Sequence, residues 1–330
     1  MKPDSSSGPP SASLPKGETE AQRIVTINFA GPATDAEPTL AATRDALLPQ
    51  PIGQSPDAGE LHSPRTGRRA CAAALPTVSQ PLLSWFTWYS RRYLRRHFNS
   101  LRVPRAGPRL MKTELPLVVY SNHASWWDPL VALLLAGEFL PGQRVFAPMD
   151  AAALEQYSFF KRLGAFGVEQ GTRRGAAQFL RLARTVLQQP DTVLWLTPQS
   201  RFADARERPV SFKAGIGHLP KAAGQLCFVP VAIEYVFWEE RLPEILVRFG
   251  EPYETCAKGM QLEPQMWTEF FAGQLADTQN ALAAEARQRQ PDKFRCLWRG
   301  HSGVGGCYDR WRALKAKWRG DAFQPQHGKL

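Results

Sequence analysis

Residues 115–137 read LPLVVYSNHASWWDPLVALLLAG, and this stretch decides the fold. The apolar, β-branched run Leu117 to Tyr120 predicts a strand. Asp128 and Pro129 then mark the start of a helix, because Asp is a good N-cap and Pro fits the first helical position. The stretch therefore predicts a strand, a polar loop that contains His123, and a helix.

From residue 115 onward, β-rich runs alternate with helical patterns, as they do in α/β proteins. Strands are predicted at 117–120, 144–147, 192–197, 227–236 and 245–249. Helices are predicted at 129–136, 151–163, 175–188 and 266–288. We therefore predict an α/β fold in which helices flank a central mixed sheet. The domain itself is expected at 111–255, and residues 256–330 are expected to form a C-terminal helical extension.

Two segments precede this domain. Residues 1–78 are rich in Ser, Pro, Ala, Gly and Thr without a sustained apolar period, which predicts a disordered leader. Within residues 79–110, the segment from Leu82 to Phe98 predicts an amphipathic helix suited to a membrane interface. Its apolar face is Leu82, Phe86, Tyr89 and Tyr93, and its basic face is Arg91, Arg92 and Arg95. A core-packing helix with a solvated basic face is the alternative.

Composition narrows the choice of partners. The 330-residue chain is 43% hydrophobic, and its net charge of +11 implies an anionic partner such as a phospholipid surface, nucleic acid or a phosphorylated substrate. The five cysteines form no CxxC pair and no cluster with histidine, which indicates neither a zinc site nor a disulfide framework.

The N-terminus lacks the apolar region of a secretory signal peptide. The most apolar stretch, Pro129 to Leu140, is shorter than the roughly 20 residues of a membrane-spanning helix, so any membrane contact is predicted to be peripheral.

His123 and Asp128 are candidates for a catalytic pair. On one continuous helix their side chains would diverge by about 140°, but a loop before the helix lets the carboxylate fold back onto the imidazole. An imidazole oriented by a carboxylate is a general base that can take a proton from a hydroxyl near neutral pH. No serine or cysteine elbow lies beside the pair, which favours direct attack by a substrate hydroxyl. The alternative is that Asp128 caps the helix and His123 is a buried structural histidine.

Four blocks of the sequence resemble, in the same order, those of the glycerolipid acyltransferases, which include 1-acylglycerol-3-phosphate acyltransferase and lysophospholipid acyltransferases. The resemblance covers roughly residues 115–253. The blocks are Asn122-His123 with Asp128, GAFGVEQGTR at 164–173, LTPQSRF at 196–202 and VPVA at 229–232. The resemblance implies that His123 is the base, that Asp128 orients it, and that arginines hold the phosphate of the acceptor.

Substrate-binding residues are predicted at two further places. Gly171, Thr172 and Arg173 stand at the start of a predicted helix, where backbone N–H groups and guanidinium groups suit a phosphate. The adjacent Arg174 is the alternative to Arg173 as the arginine that holds the phosphate. Arg201 follows a strand at the carboxyl-end edge of the sheet, where α/β proteins usually bind ligands. For each arginine, a solvated surface charge is the alternative.

The third block departs from the common Phe-Pro-Glu-Gly-Thr-Arg pattern of the family. It has Gln in place of Glu and Ser in place of Gly, and its arginine comes one position early, so charge and geometry at the acceptor pocket differ. The four blocks imply as further substrate-binding residues Asn122, Pro198, Gln199 and Ser200. No metal site is implied.

These features predict an acyltransferase that moves a fatty-acyl group from a thioester to the hydroxyl of a lysophospholipid or glycerol-phosphate-type acceptor. The expected donor is acyl-CoA or acyl carrier protein, no further cofactor is expected, and the expected location is the cytoplasmic face of a membrane. The alternatives are an acyltransferase with a different lipid acceptor and a non-catalytic lipid-binding protein. A nucleic-acid partner is not expected, because no nucleic-acid-binding motif is recognisable.

Overall fold

The computed structural model describes residues 75–106, 113–256 and 262–300, together with residues 314, 315 and 318. Nearly all of the predicted leader at 1–78 lies outside the described residues, as does most of the chain beyond residue 300. Of the helices in the described ranges, none is both long and apolar enough to cross a membrane.

The elements are named in chain order. The strands are β1 Ser100–Pro104, β2 Leu117–Ser121, β3 Arg144–Asp150, β4 Ala165–Val168, β5 Thr192–Leu196, β6 Cys227–Val236, β7 Glu244–Phe249, β8 Tyr253–Glu254 and β9 Phe294–Arg299. The α-helices are α1 Gln80–His97, α2 Asp128–Phe139, α3 Ala151–Gln156, α4 Arg173–Leu187, α5 Leu219–Ala223 and α6 Pro264–Arg287.

The strands form one mixed sheet in the order β4-β3-β5-β2-β6-β7-β1-β9, and β8 pairs with the start of β6. The first five strands in this order run parallel. The direction reverses between β6 and β7 and again between β1 and β9. The predicted fold class, a central mixed sheet flanked by helices, is confirmed.

The central strand β2 explains why helices cover both faces of the sheet. Its residues alternate, so Leu117 and Val119 belong to a core with α1 and α2, whereas Val118 and Tyr120 belong to a second core with α4 and α6. All five residues of β2 are buried, which accounts for its unbroken apolar run. The loop after this strand carries His123.

Some elements differ from the prediction. The helix predicted at 151–163 is broken at Tyr157, whose backbone leaves the helical region, and a 3-10 helix, Ser158–Leu163, follows. Four strands were not predicted: β1, β4, β8 and β9. They are short or partly exposed, so they lack the apolar runs that mark the central strands.

The unpredicted strands also bear on the domain boundaries. β1 and β9 lie outside the predicted 111–255 domain, yet they extend its sheet on the far side of β7. The chain beyond residue 255 is not only helical, because β9 pairs antiparallel with β1. The helix α6 packs along β6 and β7. The sheet therefore continues across both predicted boundaries.

Candidate active site

His123 and Asp128 form a buried hydrogen-bonded pair. Nδ1 of His123 lies 2.8 Å from Oδ2 of Asp128, and the two side chains are only 1% and 2% exposed. β2 ends just before the intervening loop and α2 begins at Asp128, so the loop returns the carboxylate to the imidazole. With Nδ1 directed at the carboxylate, Nε2 is the nitrogen that would accept a proton.

The carboxylate of Asp128 is not the cap of α2. The helix begins one residue earlier than predicted, with Trp127 as its N-cap and Asp128 in its first turn. Besides His123, the carboxylate accepts hydrogen bonds from the backbone N–H of Ser125 at 2.9 Å and from the hydroxyl of Tyr235 at 2.6 Å. These contacts rule out the alternative in which Asp128 only caps the helix.

Two amide side chains fix the backbone around His123. Asn122 donates to the carbonyl of Ile233 at 2.9 Å and accepts from its N–H at 2.8 Å. Gln199 accepts the backbone N–H of His123 at 2.9 Å. Both amides are buried, and both act on the scaffold of the site through backbone groups.

The third sequence block lies against His123. The ring of Phe202 is 4.4 Å from the imidazole, and the N–H of Ala203 donates to the carbonyl of His123 at 2.9 Å. Ser200 adopts φ +55°, a left-handed conformation that costs a residue with a Cβ roughly 1–2 kcal/mol. Gly, which many members of the family that this sequence resembles have at this point, adopts that conformation without the Cβ penalty. Pro198 is buried beside Ser200 and its carbonyl accepts from the N–H of Lys213.

An apolar cleft of about 830 Å³ opens beside the pair. His123, Asp128 and Thr197 contribute polar groups at one part of its lining. The rest of the lining is largely aliphatic and aromatic, and includes Leu83 and Phe86 of α1, Leu130, Leu133 and Gly137 of α2, and Leu163. Such a cleft suits a long apolar ligand whose reactive end meets the imidazole.

Arg201 follows Gln199 and Ser200 but is engaged by an acidic side chain. Its guanidinium forms a bidentate pair with Glu207, in which Nη1 lies 3.1 Å from Oε2 and Nη2 bonds to Oε1. These hydrogen bonds lower the pKa of the Glu207 carboxyl. Both side chains are open to solvent, so the pair can be exchanged for another anion.

The residues at the start of α4 that were predicted to bind a phosphate lie apart from this cleft. Gly171 has φ +69°, and the hydroxyl of Thr172 caps the helix by accepting the N–H of Gly175 at 2.9 Å. Arg173 is the first residue of α4 and is exposed. None of Gly171, Thr172 and Arg173 lines the cleft that contains His123. The structure therefore brings together Asn122, His123, Asp128 and Gln199. Gly171, Thr172 and Arg173 are not part of this group.

The predicted helix is present, and the residues that it buries in the protein are not those of the predicted apolar face. In α1 the fully buried side chains are Ser90 and Leu94, whereas Tyr89 is exposed. Trp85 and Trp88 are 56% and 61% exposed. The aromatic side of the helix thus faces partly outward, next to the cleft that α1 helps to line.

Sequence reasoning missed Tyr235 and Glu207. Strand alternation offered a signal for Tyr235, because it shares a face of β6 with Val229, Val231 and Ile233, all of which belong to the core beneath α2. Nothing in the sequence signals that Glu207 reaches Arg201.

The site thus combines a buried His-Asp pair, just after the central strand of an α/β sheet, with an apolar cleft, and this combination suits general-base chemistry on an apolar substrate. Residues 102–234 match the family model described as Acyltransferase. This match spans the residues that carry the four sequence blocks, and the acyltransferase resemblance inferred from those blocks is confirmed.

Comparison with solved structures and curated proteins adds the following. The structure is similar to the crystal structure of the 1-acyl-sn-glycerophosphate (LPA) acyltransferase PlsC from Thermotoga maritima, at 15% identity and a TM-score of 0.42. The similarity covers 62% of this chain and 79% of that one. No curated protein matches the sequence.

Proposed function

We propose that this acyltransferase moves a fatty-acyl group from acyl-CoA or acyl carrier protein to the hydroxyl of a lysophospholipid or glycerol-phosphate-type acceptor. The observation that carries the proposal is the buried pair of His123 and Asp128 beside an apolar cleft of about 830 Å³. The pair supplies a general base, and the cleft supplies a place for the acyl chain.

In the proposed reaction, Nε2 of His123 takes the proton of the acceptor hydroxyl while the hydroxyl oxygen attacks the thioester carbonyl carbon. The new C–O bond forms and the C–S bond breaks. Asp128 stabilises the imidazolium, which returns its proton to the departing thiolate. No acyl-enzyme forms, and the donor is the only other molecule that the chemistry requires.

The acyl chain is proposed to lie along α2. Leu130, Leu133 and Gly137 line the cleft at successive turns of this helix. With a rise of 1.5 Å per residue, Gly137 lies about 14 Å beyond Asp128 along the helix axis. The thioester carbonyl would then sit at His123, with the chain extending toward the far end of α2.

Arg201 is the proposed contact for an anionic headgroup, since it adjoins Phe202, whose ring contacts His123, and its side chain is open to solvent. Its pairing with Glu207 supports a second candidate, an acyltransferase of the same fold whose acceptor carries a different headgroup. An acceptor phosphate would have to displace the carboxylate of Glu207, whereas a headgroup that does not need Arg201 would leave the pair intact.

The enzyme is proposed to act peripherally at the cytoplasmic face of a membrane. Trp126 is exposed in the lining of the cleft, and Trp85, Trp88, Arg91 and Arg92 are exposed on α1, which also contributes to that lining. Aromatic rings and arginines together suit an anionic phospholipid interface. A lipid acceptor could then enter the cleft from the bilayer.

The proposal is tested by supplying purified protein with radiolabelled acyl-CoA and a panel of lysophospholipids and glycerol 3-phosphate. The expected result is a labelled ester product with at least one acceptor, and none with the His123→Ala variant. The assay is repeated with acyl carrier protein as the carrier of the acyl group. If both proteins bind lipid and neither forms product with either donor, the protein is a non-catalytic lipid-binding protein.

A further inference from the structure

We infer that Tyr235 is a positioning residue of the His123–Asp128 pair, which holds the carboxylate in place and limits how strongly it attracts the imidazole proton. The inference rests on the proposed function, because it assigns the pair to general-base catalysis.

The two oxygens of the Asp128 carboxylate accept hydrogen bonds from different parts of the fold. Oδ1 accepts the hydroxyl of Tyr235 at 2.6 Å, and Oδ2 accepts Nδ1–H of His123 at 2.8 Å and the N–H of Ser125 at 2.9 Å. Without the hydroxyl, the carboxylate could rotate about its Cβ–Cγ bond and still satisfy the loop. With it, the plane of the carboxylate is fixed by β6.

The strand that carries Tyr235 is itself tied to the histidine loop. Asn122 bonds in both directions to the backbone of Ile233, two residues before Tyr235 on β6. The ring of Tyr235 lies 5.5 Å from that of Phe98, which follows α1, and Phe98 also contacts Trp127 beside Asp128. The anchored strand and the contact with Phe98 therefore hold the phenol, so its hydroxyl reaches Asp128 from a fixed point.

The hydroxyl is suited to remain a donor. Burial, and then the negative charge of Asp128, raise the pKa of Tyr235 well above its usual value. A short hydrogen bond from a neutral phenol draws charge toward Oδ1 and away from Oδ2. Oδ2 then holds the protonated imidazole less strongly than an unshared carboxylate would, which keeps His123 available as a base.

Other titratable groups around the pair are few among the described residues. On β6 the titratable group that faces the pair is Tyr235. On α1 the titratable groups are Tyr93 and His97, which pack against Trp127, the neighbour of Asp128. From the block after β5, Arg201 adjoins Phe202, which contacts the imidazole. Of these groups, it is Tyr235 that donates a hydrogen bond to the Asp128 carboxylate.

The test compares wild type with Tyr235→Phe, which keeps the ring and removes the hydroxyl. The matched control is Tyr253→Phe, because Tyr253 pairs with Phe228 near the start of β6, about 23 Å along the strand from Tyr235. Two readouts are needed: the pH dependence of kcat, and the titration of the His123 ring followed by NMR in ¹³C-histidine-labelled protein. The resonance is assigned with His123→Ala.

We expect Tyr235→Phe to lower kcat about tenfold and to move both the acid limb of the kcat profile and the His123 titration to higher pH, by about one pH unit. The control should change neither. Unchanged kinetics and titration would overturn the inference. So would a lower kcat and melting temperature with an unmoved titration, since a packing role alone predicts that result.

A second substitution keeps the inference testable if Tyr235→Phe folds poorly. Site-specific 3,5-difluorotyrosine at position 235 preserves shape but has a more acidic hydroxyl, which donates a stronger hydrogen bond. The expected His123 titration then moves to lower pH, opposite to the effect of Phe. The NMR readout needs no substrate, so a protein that lacks the proposed activity is distinguished from one in which Tyr235 does not act on the pair.

Discussion

The side chain of Asn122 forms two hydrogen bonds with the backbone of Ile233, one donated to its carbonyl at 2.9 Å and one accepted from its N–H at 2.8 Å. The parallel pairing of β2 with β6 ends one step earlier, at Ser121 and Val231. The amide of Asn122 thus continues the ladder by one rung after the backbone has turned away. His123 consequently leaves the sheet at a fixed point, and this explains the Asn-His order in the first block.

The first prediction concerns the catalytic pair. His123→Ala should lower turnover by roughly 10²- to 10⁴-fold, because that is the usual contribution of a general base. Asp128→Asn should also lose most activity, since an amide cannot stabilise the imidazolium. The measurement is product formation at saturating acyl donor, with circular dichroism to confirm folding. His218→Ala is the matched control, because His218 is exposed and lies outside the cleft. Wild-type turnover by folded His123→Ala would contradict the mechanism.

Arg201 and Glu207 should have opposite effects on acceptor binding. Arg201→Ala should raise the acceptor KM about tenfold and leave the donor KM nearly unchanged, as expected for the loss of a charge-assisted contact. Glu207→Gln should lower the KM for a phosphate-bearing acceptor roughly two- to fivefold, because a competing carboxylate is removed.

Steady-state kinetics with each substrate varied in turn checks this prediction, and Glu155→Gln on α3 serves as the charge-matched control. Arg173→Ala should change the acceptor KM less than Arg201→Ala, since Arg201 adjoins Phe202, whose ring contacts His123, whereas Arg173 begins α4 apart from the pair. A larger effect at Arg173 would move the acceptor site to the start of α4.

Acyl-chain length should depend on Gly137. This residue lines the cleft, and a Cβ added to it meets no atom within 4 Å, so a larger side chain can be accommodated. Gly137→Phe should occupy the far part of the cleft and reduce kcat/KM for long acyl donors more than for short ones. Gly273→Phe on α6, where an added Cβ also meets nothing within 4 Å, is the matched control. Equal losses across the donor series would place the acyl chain elsewhere.

Membrane binding should depend on the exposed aromatic residues of α1. Trp85→Ser combined with Trp88→Ser should release the protein from anionic liposomes far more readily, whereas high salt should release the wild type only in part. Phe86 is left unchanged because it packs against Phe159 and Phe160. Sedimentation with liposomes is the measurement.

The electrostatic contribution is tested with a matched pair of double substitutions. Arg91→Ala with Arg92→Ala on α1 should weaken binding by about 1 kcal/mol per arginine, whereas Arg181→Ala with Arg184→Ala on α4 should have little effect. Deleting residues 1–74 should also change little. Loss of liposome binding on that deletion, with no effect of the tryptophan substitutions, would place the anchor in the leader.

Stability should depend on pH through Glu234. Burial raises the pKa of its carboxyl, and the guanidinium of Arg206 at 3.9 Å opposes this only in part. A carboxyl whose pKa is raised in the folded protein lowers stability as the pH rises through that pKa. Glu234→Gln should therefore raise the melting temperature at pH 7 and converge with wild type near pH 4. A lower melting temperature of Glu234→Gln at pH 7 would show that Arg206 dominates.

The features of this protein that rest on local pattern could be predicted from the amino-acid sequence. The apolar run of β2 and the Asp-Pro boundary of α2 follow from strand burial and helix-start chemistry, and both predict the loop that carries His123. The central strands and long helices were predicted for the same reason, since periodicity over many residues is a strong signal. The family followed from four blocks whose order is itself a property of the sequence.

Contacts between groups that are distant in the sequence became known from the fold. Tyr235 reaches Asp128, and Glu207 reaches Arg201, because β6 lies beside β2 and the chain after β5 folds back on itself. Gln199 acts on the backbone of His123 for the same reason. Edge strands such as β9 could not be predicted for the same reason, because β9 forms by pairing with β1, which is far away in the sequence. Contacts of this kind depend on the distances between strands, and no local pattern of residues records those distances.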